Sequence, residues 1–146
     1  MKAIERLSES INKIDSVNEN ELSINEIDLL RFVKSQINKT KFLFEIFDKS
    51  VNEKVWDDVL SSTFQILQRV NAIFSYLTQP TVLSLVSKKS KLSEIVENII
   101  DTLAFSVSEM IIILKQNNKM LGIDSITVNI GSNPPSFSIS VVIKGG

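Results

Sequence analysis

Histidine and cysteine are both absent from this chain. Without cysteine there is no disulfide framework. Without either residue there is no Cys/His zinc site, no thiolate-held iron–sulfur cluster and no histidine-ligated haem. Serine–histidine and cysteine–histidine nucleophile pairs are excluded on the same ground. Glycine is scarce as well. Gly122, Gly131, Gly145 and Gly146 are the only four, and none clusters before a helix, where backbone amides would have to converge to cradle a phosphate. Alanine is rarer still: three, beside twenty isoleucines and twelve asparagines, a bias that fits an AT-rich genome and carries no functional information.

Long apolar runs are also missing. The longest, Thr102 to Leu114, is interrupted by Glu109 and falls short of the roughly 20 residues a membrane span needs. The N-terminus, MKAIERLSES, is charged from its second residue and does not read as a secretory signal. A cytoplasmic protein with no membrane partner is the expectation. Neither sign of charge dominates. Residues 1–58 carry nine basic and twelve acidic side chains, the remainder seven and five, so the net charge is −1 and gives no global attraction to nucleic acid or anionic lipid.

What is present reads as one domain. A chain of 146 residues with 43% apolar and 23% charged residues has the length and composition to bury a core. Ile4, Leu7, Ile11 and Ile14 follow the three-or-four step of a helical face. Ser23 and Glu26 stand at capping-box spacing before a second stripe of Ile27, Leu30, Val33 or Lys34, Ile37, Phe44 and Phe47. Ser50 and Glu53 repeat that spacing before a third, from Trp56 through Val59 or Leu60, Thr63, Ile66 or Leu67, Val70, and Ile73 or Phe74 to Leu77. Gln79-Pro80 stops it, and Pro80 to Val86 suits one short helical piece. The longest helix follows, capped by Ser90 or Ser93. Its stripe is Leu92, Val96, Ile99, Leu103, Val107, Met110 and Leu114, and Gly122 is its expected left-handed stop. Beyond Gly122 the period changes to two. Ile126, Val128 and Ile130 alternate with polar residues, as do Phe137, Ile139 and Val141, and a Gly-Ser-Asn-Pro-Pro turn separates them. Pairing Ile130 with Phe137 gives one wholly apolar face. The predicted architecture is mainly α within the α+β class: an up-down four-helix bundle over residues 1–121, with an antiparallel β-hairpin over residues 123–144 appended to the same domain.

Few constellations carry chemistry. Glu94, Glu97 and Asp101 share a helix face and are the kind of carboxylates that hold magnesium, but isolated acidic helix faces are common and a solvated face near a helix N-terminus is the preferred reading. The expectation is no catalytic residue, no metal and no cofactor. Lys88, Lys89 and Lys91 form a short basic link, the basis of an alternative in which the chain is an accessory subunit contacting nucleic acid. Phe42, Phe44, Phe47 and Trp56 read as core.

Missing charge is the more unusual feature. Between Val59 and Ser87 the only charged residue is Arg69, and from Ser125 to Ile143 there is none. The centres of protein interfaces are depleted of charge in the same way. Gln65, Gln68 and Ala72 on the third long helix, and Thr127, Asn129, Ser138, Ser140 and Val142 on the hairpin, are therefore candidate interface residues. The function expected is a non-enzymatic protein-interaction or assembly module, a homo-oligomer or a small subunit of a larger complex.

Overall fold

The computed structural model describes residues 1–132 and 135–144, the side chains of residues 90 and 132 excepted. Among the described residues six helices precede a two-stranded antiparallel sheet: α1 (Lys2–Asp15), α2 (Ile24–Glu53), α3 (Trp56–Leu77), α4 (Pro80–Ser87), α5 (Ser90–Gln116), α6 (Asn118–Leu121), β1 (Ile123–Ser132) and β2 (Pro135–Ile143). A 3₁₀ turn at Glu19–Glu21 links α1 to α2.

Side-chain pairs fix the direction of the four long helices. The N-terminal ammonium lies 3.8 Å from Asp48 while Lys34 meets Asp15 at 2.6 Å, so α2 runs antiparallel to α1. Ala3 N–H donates to Glu109 at 3.2 Å and Ser10 Oγ meets Asn98 at 2.9 Å, so α5 is antiparallel to α1 as well. Arg69 meets Gln36 and Tyr76 stacks near Phe32, which reverses α3 against α2. The up-down arrangement follows. Around the bundle the order is α3, α2, α1, α5, and α3 touches α5 only briefly. The hairpin fills that side, β1 against α5 and β2 against α3. Its apolar residues pack on the same core as the helical stripes, so bundle and hairpin share one hydrophobic interior.

The stripes fill that interior as their spacing predicts. Leu7, Ile37, Phe44, Phe47, Ile66, Ile73, Leu77, Leu92, Leu103 and Met110 are fully buried. Ser23 caps α2 with a complete capping box, and Pro80 opens α4 behind Gln79. In the hairpin Ile126 faces Val141, Val128 faces Ile139 and Ile130 faces Phe137, the predicted register. An extra residue on β1, between Ile123 and Ser125, places a bulge at its base. Asn133 and Pro134 of the predicted turn lie outside the described residues.

Four expectations are corrected. Ser50 does not start a helix: its hydroxyl donates to Ile46 O at 2.7 Å inside α2, which continues to Glu53. The break comes at Lys54, in the left-handed region at φ 60°, with Lys54 N–H on Val51 O and Val55 N–H on Ser50 O. That is the paired closure usually built on glycine, and its presence on a lysine hid it from a reading by residue type. Second, the Phe42–Phe47 stretch does not lie wholly in the core but splits, with Phe44 and Phe47 fully buried and Phe42 outside. Third, α5 takes Lys89 as its N-cap, ahead of both Ser90 and Ser93. Fourth, Gly122 does adopt φ 67°, but it closes α6, because Asn117 interrupts the helix and turns its amide onto Ile113 O at 2.8 Å. No helix among the described residues is long and apolar enough to cross a membrane.

Candidate protein-interaction surface

The hairpin separates its residues by face. Ile126, Val128, Ile130, Phe137, Ile139 and Val141 turn towards α3 and α5, where the Phe137 ring stacks on Phe74 with centroids 5.7 Å apart. Thr127, Asn129, Ser138, Ser140 and Val142 are exposed on the other face. The register sets Thr127 opposite Ser140 and Asn129 opposite Ser138, so hydroxyl and amide groups lie side by side across the two strands. Each strand is paired along one edge only among the described residues, which leaves a second row of backbone donors and acceptors on each.

Gln65, Gln68 and Ala72 are also exposed, on the outer face of α3. The sequence offers them and the hairpin residues as two separate surfaces; the fold joins them. A groove of about 350 Å³ between α3 and β2 is lined by Phe64, Gln68 and Asn71 on one side and Phe137, Ile139 and Val141 on the other. Phe64 is 44% exposed there, and sequence reasoning did not single it out. Its position was legible: it falls off the Thr63, Ile66, Leu67 stripe. Phe42, 61% exposed, was misassigned to the core, although two residues ahead of Phe44 it lies about 200° around the helix from it.

A second groove of about 510 Å³ runs between α2 and α3, with Phe42, Gln65, Gln68 and Arg69 in its walls. Gln68 borders both grooves. The uncharged face therefore continues from β2 across α3, interrupted by Arg69, whose amino group donates to Gln36 Oε1 at 2.9 Å.

One lysine of the link is engaged within the protein. Lys89 Nζ lies 3.1 Å from the buried Glu26 carboxylate and donates to Glu21 O at 2.8 Å, tying the entry of α5 to the first turn of α2. Lys88 and Lys91 remain exposed. The Glu26 carboxyl is held below its ordinary value of 4.5, chiefly by the Ser23 backbone N–H that donates to it, with further help from the Ser23 hydroxyl and Lys89 against the opposing effect of burial. Tyr76 is pushed the other way, upward, first by burial and then by the negative charge of Asp28. Glu94, Glu97 and Asp101 are exposed, and no group of three potential metal ligands comes together among the described residues. Comparison of the chain with protein-family models, with curated proteins and with solved structures gives no match.

Proposed function

We propose that this chain is a non-enzymatic protein-interaction module that self-associates through its hairpin and the adjoining face of α3. The observation that carries the reading is a continuous surface, without charge from Ser125 to Ile143, bounded by unpaired strand edges and by the half-open groove against Phe64. Proteins commonly guard such edges with charge, bulges or proline. Here the bulge guards only the base of β1.

A second copy suits this surface because β2 is complementary to itself. Antiparallel pairing of two β2 strands about Ile139 sets Phe137 against Val141 and Ser138 against Ser140, which keeps apolar residues on one face and hydroxyls on the other. The test is light scattering on the intact protein and on a variant carrying Thr127→Lys, Ser138→Lys and Ser140→Lys. All three positions are exposed, so the variant should fold as the parent does. The parent is expected to run as a dimer or larger species and the variant as a monomer. A parent that stays monomeric at high micromolar concentration sinks the reading.

A further inference from the structure

The groove between α2 and α3 holds chemistry that self-association of the hairpin leaves unused. Arg69 is half-buried: its Nη1 donates to Gln36 Oε1, and its Nε is enclosed with no acceptor. Lys39 lines the same groove. Among the described residues neither cation has a carboxylate within ion-pair distance, and no carboxylate lines the groove. A guanidinium and an ammonium that line one groove without a carboxylate leave positive charge there for a ligand carboxylate to meet. Beside it Phe42 offers exposed aromatic surface, and Gln65 and Gln68 offer side-chain amides.

From this arrangement we infer that the groove binds an acidic, apolar peptide segment of a partner protein. A carboxylate of the segment meets Arg69 and Lys39, an apolar side chain covers Phe42, and the glutamine amides meet its backbone. A nucleic-acid strand fits less well. It needs cations spaced along its path, and beyond Gln68 the surface continues into Phe64, Phe137 and Ile139 without any. An acidic peptide needs only the charge that is there. The inference rests on the proposed reading in one respect, that the outer face of α3 is an interaction surface, and it does not require self-association.

The experiment is selection of random peptides of about ten residues displayed on phage against the intact protein, followed by fluorescence anisotropy of an enriched peptide. Enriched sequences should combine Asp or Glu with Leu or Phe. Affinity should fall at least about tenfold on Arg69→Gln, on Lys39→Gln, on Phe42→Ala and on replacing the peptide's acids by amides. Lys39 and Phe42 are exposed, so their variants keep the test sound if Arg69→Gln disturbs the Gln36 contact. No enrichment, enrichment without acidic residues, affinity unchanged in the variants, or tighter binding of single-stranded oligothymidylate to the same groove overturns the inference. A monomer that binds the acidic peptide refutes self-association alone, and a dimer that binds none refutes this inference alone.

Discussion

The seam between α1 and α5 and the seam between α3 and the hairpin are built by different means. Along the first, Ser10 Oγ sits between Asn98 Oδ1 at 2.9 Å and Thr102 Oγ1 at 3.0 Å, Glu109 accepts from the Ala3 N–H, and Arg6 stacks over the Phe105 ring at 4.0 Å. Directional groups fix one register there, since a slip would strand buried polar atoms. Along the second, Phe74 meets Phe137, and Phe64, Gln68 and Asn71 of α3 border a groove against the half-buried Ile139 and Val141. Apolar contact carries no direction and leaves area uncovered. Among the described residues the closed seam leaves no buried side-chain polar atom without a partner; the open one has part of its apolar surface and a strand edge to spare. That difference is why the proposed interaction surface falls on α3 and the hairpin.

Truncation on each side measures the contrast. Leu103, wholly buried in α5, should cost ~2–5 kcal/mol as Leu103→Ala, whereas Phe137→Ala, half-exposed on β2, should cost about half as much in the same urea titration. Equal losses would mean that the hairpin packs as firmly as the helical core. Ser10→Ala probes the directional seam. It removes a partner from buried Thr102 and should cost ~1–2 kcal/mol, an effect that conversion of Thr102 to valine in the same protein should partly relieve.

Lys54→Gly should raise stability by roughly 1 kcal/mol, because glycine adopts the left-handed closure of α2 without a Cβ clash. A loss would show that the lysine side chain contributes more than its backbone strain costs. The smallest effect belongs to Glu26. Its carboxyl titrates lower in the folded chain than in the unfolded one. Its stabilisation is therefore complete above the ordinary value of 4.5 and lost as the pH falls through the lowered folded value. The difference in Tm between the parent and Glu26→Gln should narrow as the pH is taken from neutral to below 4.5. A difference that widens would reverse the sign of the assignment.

Much of this was legible before any coordinates. The stripes of α1, α2, α3 and α5, the stop at Pro80 and the pairing of Ile130 with Phe137 follow from periodicity and turn chemistry, since a side chain's face is set by its own backbone. The capping box at Ser23 was legible because it is local, with all its partners within four residues. The same local rule failed at Ser50, where continued helix outweighed a cap and the break fell on a lysine. The candidate interface residues were found as two groups because each is depleted of charge along the chain.

Their union was not in the sequence. That β2 lies against α3, that Gln68 borders two grooves, that Arg69 is left with an unmet donor and that Lys89 is spent on Glu26 depend on contacts between residues far apart in the chain. Local propensity and periodicity decide which face of an element is apolar. Which other face it meets is a matter of packing the whole chain around one core, and that decision belongs to the tertiary structure.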